Sequence, residues 1–61
     1  MSKAILTAKA ARFADVSAML AIEAAVSARM GFAAEAEALE TRAARLSAMS
    51  SDYRKAARLA H

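Results

Sequence analysis

The chain contains almost nothing that would interrupt a helix. It has no proline, and its single glycine, Gly31, has thirty residues on each side. Alanine, the strongest helix former, fills 20 of the 61 positions, whereas proline and glycine are the weakest helix formers. The β-branched and aromatic residues that favour strands are sparse. The sequence therefore predicts an all-α chain that forms a single domain over residues 1–61.

Gly31 is the natural place for a turn. Glycine suits the left-handed conformation that ends many helices, and Ser2 is a candidate N-cap for the helix before it. One unbroken helix is the alternative, because a lone glycine costs only about 1 kcal/mol. We predict an antiparallel two-helix hairpin with a first helix at about 3–29, a turn at 30–32 and a second helix at about 33–60.

The pattern of small and large side chains also changes phase at the glycine. Small–large pairs recur every seven residues in each half: Ala10/Phe13, Ser17/Leu20, Ala24/Ser27, then Ala36/Leu39, Ala43/Leu46, Ser50/Tyr53 and Ala57/Ala60. Continuing the first register would place a large residue at position 34, which is alanine. The break favours two helices that meet along one seam. A weaker break at 50–52 is compatible with a short third helix.

The predicted seam is small for an independent fold. Only about 16 side chains are apolar and larger than alanine, while ordering each residue costs roughly 1.5 kcal/mol. Chains of this size without disulfides or metals usually require oligomerisation, and this chain has no cysteine. We therefore expect the hairpin to dimerise into a four-helix bundle, with larger assemblies as the second choice.

The first helix is apolar on two sides, which suggests where a second copy would bind. Alanines seven residues apart form a continuous small stripe, and larger apolar residues lie mostly opposite. One side can meet the second helix, and the other requires a further contact. Alternatively, the alanines simply fill exposed helical positions. The predicted oligomer-interface residues are Ala11, Ala14, Ala18, Ala21, Ala25, Phe13, Leu20, Leu39, Leu46 and Tyr53.

The side chains that catalysis and metal binding require are nearly absent. The chain has no Cys, Trp, Asn or Gln, and its one histidine, His61, is the last residue, which we interpret as a solvated terminus. Glu23, Glu37 and Glu40 would meet near the turn, but the Glu-x-x-His pattern of metal-binding bundles is missing. We predict a protein that is not an enzyme and has no catalytic residue, no metal and no cofactor.

The longest uncharged apolar run, residues 16–22, is far shorter than the roughly 20 residues that span a bilayer. We therefore expect no membrane association and a cytoplasmic location, in a bacterial or phage-infected cell. The alanine content and the preference for Arg over Lys are typical of a GC-rich bacterial or phage genome.

Charge is segregated along the chain. Residues 1–14 carry +3, residues 15–40 carry −4 and residues 41–61 carry +4. Folding at Gly31 would bring both basic segments to the open end and the acids to the turn, a charge dipole about 40 Å long. Two hairpins packed antiparallel would then place basic ends beside acidic ends.

The basic end also supports an alternative, nucleic-acid binding, since the pI is about 10.0. The residues that would carry it are Lys3, Lys9, Arg12, Arg54, Lys55 and Arg58.

A resemblance to a known family also favours nucleic-acid binding. Within residues 1–13, about a fifth of the chain, Met1-Ser2-Lys3, Thr7-Ala8 and Ala11-Arg12-Phe13 resemble the opening of the Rop family of plasmid copy-number regulators. Proteins of that family are helical hairpins that dimerise into antiparallel four-helix bundles and bind paired RNA loops through their first helices. The resemblance implies that Lys3 and Phe13 contact RNA.

Two functional hypotheses follow. The first is a small non-enzymatic interaction or assembly protein that acts through helix–helix packing, with itself and with a host or complex protein as partners. It would be an adaptor, regulator or structural component, encoded by a phage or plasmid. The alternative is a Rop-like RNA-binding regulator that uses the basic residues at the open end.

Overall fold

The chain folds into two long antiparallel helices joined by a tight turn. A computed structural model describes residues 1–60, with α1 at Lys3–Arg29 and α2 at Ala33–Leu59. Each helix has 27 residues, and the Cα atoms extend over 48 × 13 × 12 Å. The helices pack against each other along their length, so the predicted all-α hairpin is confirmed.

The turn has the hydrogen bonds of a Schellman motif. Gly31 adopts the left-handed conformation, with φ of 86°. Its N–H donates to the carbonyl of Ala28 at 3.1 Å, and the N–H of Phe32 donates to the carbonyl of Ser27 at 2.9 Å. The carbonyl of Phe32 then accepts from the N–H of Ala36, so α2 begins immediately. The chain therefore reverses within three residues.

The start of α1 is capped by a side chain, as the sequence predicted. The Oγ of Ser2 accepts a hydrogen bond from the N–H of Ile5 at 3.2 Å. This bond satisfies one of the free donors at the helix start. By contrast, Phe32 precedes α2 without a side-chain cap.

Two serines fix how the helices align. The Oγ of Ser17 donates to the carbonyl of Ala43, and the Oγ of Ser50 donates to the carbonyl of Ala10, each at 2.7 Å. A serine side chain is short, so it reaches a carbonyl of the other helix only where the backbones approach closely. The residue numbers in each pair add to 60, so both bonds specify the same antiparallel register.

The small and large positions of the sequence repeat occupy the seam. We write the repeat as a heptad in which the small residues are position a and the large residues position d. The buried side chains are Leu6, Ala10, Leu20, Ala24, Ala36, Ala43, Ser50 and Ala57. Four large d residues are only half-buried: Phe13, Leu39, Leu46 and Tyr53. The rings of Phe13 and Tyr53 stack, with centroids 5.5 Å apart and planes within 6°.

The weaker break considered at 50–52 does not form, because α2 is continuous through these residues. Ser50 does not cap a new helix. It is 2% exposed, donates to Ala10 across the seam and accepts from Nη2 of Arg54 at 3.1 Å. Ser50 therefore bonds across the seam and within a continuous α2 rather than at a helix start.

Candidate interaction surface

The heptad register divides the exposed side chains of the hairpin between two faces. In an antiparallel pair of helices, positions c and g of both helices flank the seam on one side, and positions b and e flank it on the other. Most of the exposed large apolar side chains are at c or g. We call this side the large-residue face; its apolar members are Ile5, Val16, Met19, Val26, Met30, Met49 and Leu59.

Shallow grooves on the large-residue face reach the seam. One, of about 370 Å³, is lined by Leu6, Tyr53, Met49, Asp52 and Ala56. Leu6 and Tyr53 are d residues, whereas the other three are at c or g. The half-buried Tyr53 is therefore accessible from this face.

A second groove continues along the same face. It is lined by Arg42, Arg45, Leu46 and Met49, so Met49 borders both grooves. Leu46 is the d residue in this groove. The large-residue face therefore combines exposed apolar side chains with recesses that open onto the core.

The opposite side of the hairpin is the alanine face, at positions b and e. Its α1 half consists of Thr7 and seven alanines, at 4, 11, 14, 18, 21, 25 and 28. The α2 half is mainly polar, with two acids near the turn and two arginines near the open end: Glu37, Glu40, Arg54 and Arg58. This face is therefore flat in α1 and charged in α2.

The residues predicted for the oligomer interface fall into two groups. Five lie in the seam within the hairpin: Phe13, Leu20, Leu39, Leu46 and Tyr53. The other five belong to the alanine face, where Ala14 is half-buried and Ala11, Ala18, Ala21 and Ala25 are exposed. The sequence pattern places larger apolar residues opposite the alanines of α1, but the predicted interface includes none of the exposed residues at c or g. The signal for this face was the recurrence of Ile5, Met19 and Val26 at multiples of seven residues.

The basic residues cluster at the open end but do not share one face. Lys3, Arg12, Arg54, Lys55 and Arg58 are exposed. Arg54 and Lys55 are neighbours in a helix and so point about 100° apart. The Nζ of Lys9 lies 5.9 Å from the centroid of the Tyr53 ring, within range of a cation–π contact. The positive charge therefore surrounds the end of the hairpin.

The resemblance to the Rop family implied a contact between Phe13 and RNA. In this hairpin the Phe13 ring is half-buried and stacks on Tyr53 in the seam. Lys3 is exposed at the open end.

The described part of the chain offers neither a metal site nor a membrane-spanning helix. Among residues 1–60, no group of three or more acidic, histidine or cysteine residues could hold a metal ion. Neither α1 nor α2 is long and apolar enough to cross a membrane. His61 lies outside the described residues.

No protein-family model matches this sequence, and neither a curated protein nor a solved structure matches it.

Proposed function

We propose that this chain is a non-enzymatic helical interaction protein that assembles with itself into an antiparallel four-helix bundle. The observation that carries the proposal is the size of the core. Among the described residues, Leu6 and Leu20 are the only large apolar side chains that are buried, and the other buried residues are alanines and one serine. Small domains with so little buried surface depend on another source of stability, and a second copy supplies it.

The exposed side chains support the same proposal. Met19 is 60% exposed and Val16 is 39% exposed on one continuous face. Apolar patches of this kind on soluble proteins commonly mark interaction sites. Burying them against a second hairpin would contribute about 25 cal/mol for each Å² of apolar surface removed from water.

The segregation of charge favours an antiparallel arrangement. The bases lie at the open end of a hairpin whose Cα atoms extend over 48 Å, and most of the acids lie towards the turn. Parallel hairpins would place like charges together, whereas antiparallel hairpins place opposite charges together. Arrangements of this kind select orientation more than they add affinity.

Sedimentation equilibrium at micromolar concentration tests the proposal. We expect a mass of at least twice 6.4 kDa, and an unfolding midpoint that rises with protein concentration. A compact monomer whose thermal stability does not depend on concentration would overturn it. The protein would then act as an adaptor, regulator or structural component only through other partners.

Nucleic-acid binding is the second candidate, and the observation that favours it is the cluster of six bases at the open end. A protein that neutralised about six phosphates would lose roughly a thousandfold or more in affinity between 50 and 200 mM salt. Replacing Arg54, Lys55 and Arg58 with alanine should abolish such binding and leave the oligomer intact. Under the first proposal, the same variant loses some oligomer stability, and the loss shrinks at high salt.

A further inference from the structure

We infer that the large-residue face is the interface between two copies of this chain. This inference rests on the proposed self-association. The copies meet antiparallel, α1 on α1 and α2 on α2, around a twofold axis at the level of Val16. The charges determine the orientation, and the apolar side chains determine which face is used.

The first indication of the axis comes from α1. Lys9 and Glu23 both occupy position g, and both lie seven residues from Val16, one on each side. An antiparallel pairing of α1 with its copy around Val16 therefore places each Lys9 level with Glu23 of the partner copy. Val16 then meets itself, and Ile5 is nearly level with the partner's Val26. Each of these pairs therefore combines opposite charges or two apolar side chains.

The second indication comes independently from α2. Arg42 and Asp52 lie on the large-residue face, five residues on either side of position 47. Pairing α2 with its copy around position 47 places each Arg42 level with Asp52 of the partner copy. It also brings Ala38 level with the partner's Ala56, so small residues oppose small residues.

The two axes lie at nearly the same level of the hairpin. The serine bonds pair residues whose numbers add to 60, and the stacked Phe13 and Tyr53 add to 66. Val16 and position 47 add to 63, three residues from each of these sums, so their levels agree to within about 4.5 Å. A single twofold axis therefore satisfies the charge pairs of both helices, as an interface between identical copies requires.

The alanine face shows why charge alone does not select the interface. Glu40 and Arg54 on that face are also symmetric about position 47. Its α1 half, however, offers only alanines and one threonine, which bury little apolar surface. The large-residue face offers large side chains and grooves floored by core residues, which a partner would fill.

The face is also large enough for a stable dimer. It is 48 Å long and, with side chains, about two helix diameters or roughly 20 Å wide. Stable interfaces bury about 800 Å² per partner, which a surface of these dimensions provides.

Adjacent residues on opposite faces provide a matched pair of variants. Met19 and Ala18 are both exposed in α1, but Met19 belongs to the large-residue face and Ala18 to the alanine face. Glutamate is a good helix former, so neither substitution should disturb the hairpin. We expect Met19→Glu to weaken dimerisation at least tenfold and Ala18→Glu to leave the dissociation constant within about threefold of wild type.

The outcomes separate this inference from the proposed function. A monomeric wild type would overturn both. A dimeric wild type that Ala18→Glu dissociates, and Met19→Glu does not, would retain self-association and overturn the assignment of the face.

Cysteine cross-linking locates the axis. The chain contains no cysteine, so Val16→Cys and Ala18→Cys each introduce a single thiol. Because disulfides require Cα atoms about 4.4–6.8 Å apart, we expect rapid oxidation to a covalent dimer for Val16→Cys and slow oxidation for Ala18→Cys. The reverse order would overturn the inferred axis.

Discussion

Gly31 controls the turn through its backbone alone. Its φ of 86° is in the left-handed region, and an added Cβ would meet nothing within 4 Å. The cost of Gly31→Ala is therefore conformational and should be about 1 kcal/mol of unfolding free energy. Gly31→Asn should cost less, because asparagine tolerates this conformation. Urea denaturation at one fixed protein concentration measures both, and equal stability of all three proteins would contradict this account of the turn.

Ser50 controls the spacing of the helices. It is 2% exposed and bonds to Ala10 across the seam. Ser50→Ala should cost about 0.5–1.5 kcal/mol through the lost hydrogen bond. Ser50→Leu should cost more, because a large side chain in the seam forces the helices apart. Exposed Ser47 is the control, since Ser47→Ala should be nearly neutral. If Ser50→Leu stabilised the protein, the close approach would be wrong.

The sequence repeat identifies the small positions of the seam but not the hydrogen bonds that their side chains form. The repeat assigns Ser17 and Ser50 to the seam because each is small and seven residues from other small residues. Which carbonyl each hydroxyl meets depends on the register between the helices. Local pattern does not specify that register, so neither interhelical bond was foreseen.

At the scale of the elements, the hairpin was predictable because interruptions are so rare. Ser2 and Gly31 are strong boundary signals in a chain otherwise rich in alanine, and both have the cap or turn role expected of them. The candidate break at 50–52 failed for a tertiary reason, since the Ser50 hydroxyl bonds to the other helix. A local capping signal cannot reveal that the residue which carries it is buried against another helix.

The faces of the helices were harder to assign than their ends. The alanine stripe is conspicuous in the sequence because one residue type repeats. The large-residue face consists of Ile, Val, Met and Leu side chains from both helices, interspersed with charges. Its extent over both helices becomes visible only once the antiparallel seam places positions c and g of α1 and α2 side by side.

At the scale of the whole molecule, the order of charges should set the orientation of the dimer. Arg42→Asp alone would oppose Asp52 of the partner copy and should weaken dimerisation about tenfold at low salt. The double variant Arg42→Asp/Asp52→Arg should recover most of that loss, because opposite charges face each other again.

Rescue by the double variant is specific to the antiparallel arrangement. In a parallel dimer, α1 would lie on α2 of the partner, and an aspartate at position 42 would face Glu23. The dimer dissociation constants of the wild type and both variants are measured at 50 mM and 500 mM salt. The differences between them should be smaller at 500 mM, because salt screens the charges. A double variant as weak as the single variant would contradict the antiparallel pairing.

The antiparallel arrangement of the two hairpins can be measured as the distance between identical positions in the two copies. Ala34 is exposed near the start of α2 and can carry a spin label through Ala34→Cys in this cysteine-free chain. With the axis at position 47 and a rise of 1.5 Å per residue, the two labels should lie about 40 Å apart. In a parallel bundle the two labels would lie at the same level, so their separation could not exceed the diagonal of the bundle cross-section, about 30 Å. The antiparallel dimer predicts a distance near 40 Å. A shorter distance, or no dipolar coupling between the copies, would contradict the antiparallel dimer.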